Sequence, residues 1–596
     1  MGLNMSANAD AAYKKAVEEN FRFLKIARNV QEIYLRAIPI GDLGFLIPVC
    51  EAHKADDTLI EQLTVWRNRH VAAYPTQFVA TVDSTRKWLS GRLLAVSDRM
   101  LFLIVDPLGK TLGHIGFSGC INDERRFEID NVVRGELSGF PGLFSRAIFS
   151  LMEWSRKLLN VEGFFLRVMD DNAHAIRFYE KNGFVLDRRI PLVKESHSGM
   201  TIYREAGPDE VNLRCFHRMV WHPVRPEVGA TLILTAGPSV SAREGGYAYD
   251  AAMLGWNRNW STYLTRFEQR FADYIGVKYA IATSSCTGAL QIALMALDIG
   301  PGDEVIVPDL TWVATANAIR YVGAVPIFAD IELDTWNLDV ASIERLISEK
   351  TRAIIPVHMY GHPARMTGIV ALANQYGLHI VEDAAPAVGA AWKGRRCGAF
   401  GDFAAFSFQG AKLLVTGEGG MLVTDDDALY RKALKIWDQG RNPTRTFWID
   451  ADGVKFKMSN VQAAIGLAQL ERIDELIEMK RRLFSWYRDS LEHVPYLTLN
   501  QEVEGARSIY WMSSLRLDQA ASIDRDQLML RLKGENIDTR PVFPAISQYP
   551  IWARQQVPQP IALQVSECAM NLPSGVCLTR EQVDYVCRTI RAIMIG

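Results

Sequence analysis

No stretch of this chain runs eighteen apolar residues without a charge, so no membrane-spanning helix is expected. The N-terminus, MGLNMSANADAAYKKAVEENFRFLKIARN, lacks the apolar core of a secretory signal and reads as a polar, helical extension. Cysteine is sparse. The eight residues, at 50, 120, 215, 286, 397, 568, 577 and 587, include no C-x-x-C pair. That spread argues against a disulfide framework or a zinc site and for free thiols in a reducing cytoplasm, so no metal is expected. Charge of one sign is not in excess either. Lys and Arg number 66 against 68 Asp and Glu, a net charge of −2, which leaves no basic stripe for nucleic acid and no acidic tail. No internal repeat is visible.

What is present is an ordinary globular composition, 48% apolar and 22% charged, in 596 residues. That length corresponds to roughly three to four domains. From about Tyr34 to Leu192 short strands and helices alternate. FLIVDPLGKTLGHIGFSG reads as a hairpin and RFEIDNVV as a strand. LFSRAIFSLMEWSRKLL has helical apolar spacing, GFFLRVMDD is a strand, and NAHAIRFYEKNGF is a helix ended by Gly183. Residues 193–235 lose this rhythm and carry Pro and Gly, so they read as a joint with a strand or two of its own. From about 236, strand–helix alternation predicts an α/β domain with a mostly parallel sheet. The expected division is an extension at 1–32, an α/β domain at 33–192, a linker at 193–235, a large domain at 236–480 and a small α/β domain at 481–596.

FSFQGAKLLVTGEGG (406–420) places one lysine, Lys412, in the turn after the strand-like FAAFSF and ahead of a run of small residues. In open α/β sheets functional groups gather past the carboxyl ends of strands. Asp383, at the end of GLHIVEDAA, falls in the same kind of place. SSCTGAL (284–290) is a small-residue turn entering a helix, where backbone N–H groups form an anion site. An amine, a strand-end acid and a phosphate cradle together suit pyridoxal phosphate. The amine joins the cofactor's aldehyde, and the acid keeps the pyridine nitrogen protonated so that the ring acts as an electron sink. Singly, each piece is ordinary: a surface lysine, a capping aspartate, an N-cap. Their order and spacing carry the reading.

Further stretches extend the pattern: VEDAAPAVGA, PDLTWVATANAI and FKMSNVQAAIGLAQLERI. With the lysine and phosphate segments, they make the region from about 230 to 596 resemble the nucleotide-sugar aminotransferases among the fold-type-I pyridoxal phosphate enzymes. Perosamine synthase is the nearest-looking branch, which implies a place in lipopolysaccharide O-antigen biosynthesis. The resemblance implies Lys412 as cofactor lysine and proton shuttle, Asp383 on the pyridine nitrogen and Trp312 stacked on the ring. Thr287 and Gly288 would give N–H groups to the phosphate, and Ser407 a hydroxyl. Bulk among the small residues after Lys412 would crowd the cofactor and the sugar. His358 in VHMYGH and Arg540 in DTRPVF fall where the family builds its substrate cleft, although a structural ion pair suits Arg540 equally. FKMSNVQAAIGLAQLERI resembles the family's dimer-interface helix.

Three positions depart from the family pattern. Cys286 stands where Gly is usual, so its backbone must suit an L-residue. Pro386 replaces a Gln or Glu that touches the cofactor hydroxyl. Lys455 in GVKFKMSN replaces an Asn that reaches the neighbouring subunit's cofactor phosphate, a task an ammonium could serve; an exposed interface lysine is the plainer alternative. SIYWM (508–512) and NLPSG (571–575) match the family's small domain and receive no chemistry.

In the earlier region, NVVRGELSGFPGLFSRAI sets an Arg, glycines and a proline between a strand and a helix, a plausible diphosphate loop. Together with RVMDDNAHAIRFYEKNGF and LTVWRNRH, it makes residues 33–190 resemble GNAT acyl-CoA transferases, in a branch that includes amino-sugar acetyltransferases. The loop is longer than the family's and contains Pro141. The resemblance implies Arg134, Gly135, Gly139 and Gly142 for the diphosphate of acetyl-CoA and Asn172 beside its pantetheine arm. Tyr179 would be the acid for the leaving thiolate, with core packing as its alternative. Glu128 or Asp130, on one side of a strand by alternation, would be the base for the attacking amine.

The expectation is therefore a cytoplasmic, homodimeric, bifunctional enzyme. It would transfer an amino group from glutamate to a nucleotide-linked 4-keto-6-deoxyhexose and then N-acetylate the product with acetyl-CoA. One rival makes the N-terminal domain a non-catalytic docking module. Another is a regulator built on the cofactor fold without turnover, against which the set Lys412, Asp383 and Trp312 speaks.

Overall fold

The computed structural model describes residues 2–34, 36–136, 141–197, 199–207, 210, 214–221, 228–552 and 558–595. Contacts divide the chain into two units, Met1–Val224 and Arg225–Gly596.

The first unit begins with helix α1 (Gly2–Lys25). Tyr13, Val17, Phe21 and Leu24 recur on one helical face and are buried in the unit's core, so the extension is part of the domain. Helices α2 (Val30–Tyr34), α3 (Asp57–Arg69), α4 (Val82–Trp88), α5 (Leu143–Leu159) and α6 (Ala173–Lys181) follow. The strands are β1 (Ile38–Pro39), β2 (Phe45–Pro48), β3 (Thr76–Gln77), β4 (Met100–Val105), β5 (Thr111–Ser118), β6 (Arg126–Arg134), β7 (Gly163–Met169), β8 (Val185–His197), β9 (Met200–Glu205) and β10 (Arg214–Trp221). They form one ten-stranded sheet in the order β1-β2-β4-β5-β6-β7-β10-β8-β9-β3.

β4 and β5 are the expected hairpin. β6 and β7 run parallel but pair only over Arg126–Glu128 against Gly163–Phe165. Past that point β6 carries an irregularity opposite β5, with Asn131 at φ 49, and stays with β5, while β7 pairs along its other edge with β10. A wedge therefore opens beside Ile129 and Asp130.

Residues 193–221 correct the sequence reading. They are not a joint: the end of β8, with β9 and β10, completes the sheet, and β10 lies between β7 and β8. β8 and β9 are largely exposed, so the apolar alternation that marks a strand is missing from them.

The second unit opens with α7 (Ala242–Leu254), α8 (Thr262–Ile275) and α9 (Cys286–Ala296). Its strands are β11 (Tyr279–Thr283), β12 (Glu304–Pro308), β13 (Val325–Ala329), β14 (Thr351–Ile354), β15 (His379–Asp383), β16 (Ala391–Trp392), β17 (Arg395–Arg396), β18 (Phe403–Ser407), β19 (Gly420–Thr424), β20 (Leu497–Leu499), β21 (Ala506–Arg507), β22 (Ser514–Leu517), β23 (Arg540–Pro541) and β24 (Ala569–Asn571). The main sheet runs β11-β19-β18-β15-β14-β12-β13. Its members from β13 to β18 are parallel, and β19 is antiparallel to both neighbours. β18, FAAFS, is buried at every position, as a strand covered on both faces must be.

A smaller sheet, β20-β22-β24-β23, forms the later part. The division expected at 480/481 falls inside the helix Ile473–Leu491. Ile473, Leu476 and Ile477 pack into the large core, whereas Leu483, Tyr487 and Leu491 pack into the small one. One amphipathic helix thus serves two cores. Ile233 bridges to Ile537 and the Thr235 hydroxyl donates to Asp538 at 2.7 Å, so the end of the supposed linker belongs to the small part.

A fragment of residues 1–224 should fold alone and unfold cooperatively. One ending at 205 lacks β10, which leaves β7 and β8 without their shared neighbour and two strand edges bare. It should aggregate or lack a cooperative transition by circular dichroism, and equal behaviour of the two fragments would contradict the sheet order.

Candidate functional site

In the second unit the chemistry gathers where parallel strands end. β15 delivers Asp383, which is 5% exposed. Its Oδ2 accepts from the Thr315 hydroxyl at 2.7 Å and its Oδ1 from the Ala385 N–H at 3.1 Å. Burial pushes its pKa up, against the pull of those donors and of Lys412 and His358. Lys412 sits in the turn after the adjacent strand β18, with its backbone N–H on the Gln409 carbonyl at 2.8 Å. Burial lowers its amine to about 8, while the Asp383 carboxylate and the Cys286 thiol oppose that shift. The sequence-predicted pair is therefore within mutual electrostatic reach. Ser407 ends β18 and is 8% exposed.

α9 begins beside them. Ser285 caps it, its Oγ accepting from the Gly288 N–H at 3.0 Å. The Gly288 donor expected to face a phosphate is thus already engaged, whereas the Cys286 and Thr287 N–H groups carry no hydrogen bond to a described residue. Gly288 has a different reason to be small: a Cβ there would come 2.9 Å from the Phe456 ring. Cys286 occupies ordinary helical backbone, and its Sγ lies 4.0 Å from Asp383 Oδ1.

The small residues after Lys412 also need another explanation than room for a ligand. A Cβ on Gly420 would lie 2.5 Å from the Ser285 carbonyl carbon and 2.6 Å from the Cys286 nitrogen, and one on Gly419 would lie 2.6 Å from Met458. Gly420 lets β19 press against the backbone that starts α9, while Gly419 makes room for the Thr416 and Met458 side chains.

Three expected residues stand apart. His358 does not line a cleft. It is fully buried, its Nδ1 accepting from the Ala364 N–H at 3.0 Å and its Nε2 lying 3.0 Å from Glu382 Oε2. Arg540 is exposed and ion-paired to Asp538 at 3.3 Å. Lys455 is exposed, with no ion pair or hydrogen bond to a described residue. The helix likened to a subunit interface, Asn460–Leu470, is interior to its own chain, with Ala463, Ala464 and Gly466 through Leu470 all buried.

Sequence reasoning missed an aromatic series. Trp312, 56% exposed after β12, lies 5.6 Å from Phe543. Phe543 stacks on Tyr360 at 5.6 Å, and Tyr360 on Trp511 at 5.9 Å. Trp511 carries the Lys412 ammonium over its ring, 3.8 Å from the centroid. These residues come from four separate segments, so no local spacing could reveal them; the aromatic pair in SIYWM was the available signal.

In the first unit the β6–β7 wedge holds the other candidates. Both Glu128 oxygens are engaged by Arg167, at 2.7 and 3.0 Å. Asp130 Oδ1 has no hydrogen-bond partner among the described residues, Oδ2 lies 3.9 Å from Arg99, and burial raises the group's pKa against the pull of Asn131, Arg99 and Ser118. Of the two carboxylates, Asp130 is the one with an oxygen that no described residue holds. Tyr179 is buried against Phe178 and Phe184, and burial followed by the Asp130 charge pushes its phenol up. Tyr74 experiences the same carboxylate, with burial raising it to about 12.

Asn172 caps α6, accepting from the Ala175 N–H at 3.2 Å. Gly142 precedes α5 as its N-cap at φ 82, and no side chain among the described residues caps that helix, an arrangement in which the first N–H groups can face an anion. Arg134 is exposed beside Phe144. Gly135 is small because of Trp66, whose ring a Cβ would meet at 2.0 Å. Gly139 lies outside the described residues.

Comparison with known proteins agrees with this geometry. Residues 239–591 match the DegT/DnrJ/EryC1/StrS aminotransferase family, and residues 46–185 match an acetyltransferase (GNAT) domain. The chain is 39% identical over 373 residues to a GDP-perosamine synthase of Caulobacter vibrioides, covering 61% of this chain and 98% of that protein. It is 41% identical over 353 residues to one of Escherichia coli O157:H7, covering 59% and 96%. The crystal structure of S. venezuelae DesV is similar with a TM-score of 0.56 and 32% identity, covering 60% of this chain and 95% of that one.

Gly420→Val should destabilise the second unit by about 1–3 kcal/mol, because its side chain would enter the Ser285–Cys286 backbone. Thermal unfolding measures the loss, and an unchanged midpoint would mean that the contact is not tight.

Proposed function

This chain belongs to the DegT/DnrJ/EryC1/StrS aminotransferase family, and from that premise we propose a two-step enzyme of nucleotide-sugar metabolism. Its second unit moves an amino group from glutamate to C-4 of a nucleotide-linked 4-keto-6-deoxyhexose. Its first unit acetylates the amine so formed. The relatives named GDP-perosamine synthase favour a guanosine diphosphate carrier. Such charged substrates do not cross membranes, which favours the cytoplasm. No helix among the described residues is long and apolar enough to cross a membrane.

The single observation that carries the aminotransferase reading is the buried Asp383 within electrostatic reach of Lys412 at adjacent parallel strand ends. The donor set fits pyridoxal phosphate. A carboxylate whose pKa burial has raised is stabilised by a cation, and a protonated ring nitrogen is one. The free N–H groups of Cys286 and Thr287, with the Ser407 hydroxyl, suit the phosphate, and the exposed Trp312 face suits a planar ring. When bound, the cofactor supplies an aldehyde that takes up and returns the amino group, and a ring that draws electrons from the carbon losing its proton. Lys412 Nζ, whose pKa burial lowers to about 8, takes that proton from the substrate carbon and returns one. Arg540 remains available to a carboxylate or diphosphate.

In the acetylation step, Asp130 Oδ1 removes a proton from the sugar ammonium. The neutral nitrogen attacks the thioester carbonyl and gives its second proton to solvent, the C–S bond breaks, and the Tyr179 hydroxyl gives its proton to the departing sulfur. Solvent carries the proton from Asp130 back to Tyr179. A phenol pushed upward stays protonated at neutral pH, as a donor must. The diphosphate of acetyl-CoA would sit at the uncapped start of α5, near Arg134 and Gly142, with Asn172 beside the pantetheine arm.

A mass-spectrometric screen of nucleotide-linked keto sugars with glutamate and acetyl-CoA tests both steps. The wild type should yield the acetamido sugar. Lys412→Ala should yield neither product, and Tyr179→Phe should accumulate the free amino sugar. Amination by Lys412→Ala would refute the assignment. Release of only the free amine by wild type, without acetyl-CoA binding, would leave the first unit a docking module.

The reading extends to a homodimer. Met253, Trp256 and Trp260 are more than half exposed, as are Phe447 and Ile449, which is unusual apolar surface for a lone chain. Lys455, exposed nearby in sequence, would reach the partner's cofactor phosphate. Mixing inactive Lys412→Ala with inactive Lys455→Ala should restore activity in hybrid dimers. No recovery after verified subunit exchange would place Lys455 outside the partner's site.

A further inference from the structure

Trp511 lies in SIYWM, a stretch with no chemistry assigned to it, yet its indole is the surface beneath the Lys412 ammonium. Three contacts hold that indole. Its Nε1–H donates to the Ala411 carbonyl at 2.8 Å, on the residue just before Lys412. Its ring stacks on Tyr360 with planes 29° apart, and the Tyr360 hydroxyl is in turn held by Asn571 at 3.2 Å. Its own carbonyl accepts from Lys480 Nζ at 2.7 Å. Lys480, 5% exposed on the helix Ile473–Leu491, also donates to the Ser574 carbonyl. A ring tied at its nitrogen, its face and its backbone is a fixed platform.

We propose that Trp511 is a positioning residue for Lys412: its indole holds the cofactor-free lysine as an ammonium and so governs how readily the amine captures pyridoxal phosphate. This rests on Lys412 being the cofactor lysine. Capture joins the lysine nitrogen to the aldehyde carbon and releases one water, and only the neutral amine can begin it. The ammonium's extra proton passes to solvent. Burial favours that loss, and the indole's negative face resists it.

The other groups acting on Lys412 are Asp383 from β15 and Cys286 from α9, with His358 acting on Asp383 from behind. Lys480, which burial holds at about 7, is a second amine that titrates in the same range and must be controlled for. The indole therefore works together with Asp383. The carboxylate favours the cation over distance, and the ring fixes where that cation rests.

The test uses the full-length protein stripped of cofactor. Capture of added pyridoxal phosphate is followed by absorbance from about pH 6 to pH 10, where an unperturbed or lowered lysine titrates. The adduct is then fixed with borohydride and located by peptide mass spectrometry. Trp511→Leu should lower the apparent pKa of capture by about half to one unit, so that capture at low pH rises roughly threefold to tenfold relative to its own plateau. Trp511→Phe keeps a ring but loses the Nε1–H bond and should shift about half as far. It carries the test should Trp511→Leu fail to fold.

Lys480→Met should leave the profile in place. The same shift in Lys480→Met as in the Trp511 variants would transfer the effect to Lys480 and overturn the proposal. Superimposable profiles in wild type and the Trp511 variants would overturn it directly. A wild-type adduct found on a lysine other than Lys412 would instead refute the cofactor-lysine assignment itself, which separates the two failures.

Discussion

The second unit's site depends on one buried carboxylate that touches no substrate. Glu382, with no exposure, accepts from the Gly398 N–H at 2.8 Å, the Phe400 N–H at 2.6 Å and the Gly401 N–H at 2.9 Å, and faces His358 Nε2 at 3.0 Å. An unpaired carboxylate at that depth would be prohibitively costly, so all four donors are obligatory. They tie the end of β15 to the segment after β14 and to the loop that enters β18. Strand alternation then turns the next side chain, Asp383, to the opposite face. Where β15 stops and where β18 begins are thereby settled together, and so is the place where Lys412 meets Asp383.

That dependence explains why the site was partly legible in the sequence. Lys412, Asp383 and the start of α9 each lie at a local signal: a strand, a turn, a cap. Each local signal survives folding because a parallel sheet brings the ends of its strands together. The hairpin of β4 and β5 and the helices α5 and α6 were readable for the same reason of strict periodicity. What the sequence hid was relational. His358 looked like a cleft residue but serves Glu382, because a histidine in a short apolar run gives no sign of which carboxylate it will face. The glycines after Lys412 looked like room for a ligand, but Gly419 and Gly420 are small because other backbone and side chains abut them. Residues 193–221 looked like a joint because an exposed strand carries no burial pattern.

On the proposed reading, the two units share the primary amine: amination would produce it and the first unit would consume it, so their order along a reaction sequence would have only one sense. The proton problem differs between them. In the second unit an amine must be neutral inside a site that contains a carboxylate, and burial supplies the bias. In the proposed first-unit step the amine would arrive charged from water and have to be relieved of a proton. Both Glu128 oxygens are held by the Arg167 guanidinium. Asp130 differs in degree: burial raises it against the pull of Asn131, Arg99 and Ser118, its Oδ2 lies a longer 3.9 Å from Arg99, and its Oδ1 has no hydrogen-bond partner among the described residues.

The aromatic series from Trp312 to Trp511 gives the second unit its internal alignment. Trp312 and Tyr360 follow strands of the large sheet, whereas Phe543 and Trp511 belong to segments of the small part. Their rings alternate between the two parts, so any sliding of one against the other would break three ring contacts at once. The helix Ile473–Leu491 adds a second tie, because it buries one end in each core and sends Lys480 to the Trp511 carbonyl. An ammonium without a carboxylate partner is an expensive way to hold two carbonyls. Lys480 spans the Trp511 and Ser574 carbonyls, so it ties SIYWM to NLPSG within the small part, a tie that is separate from the ring contacts beneath Lys412.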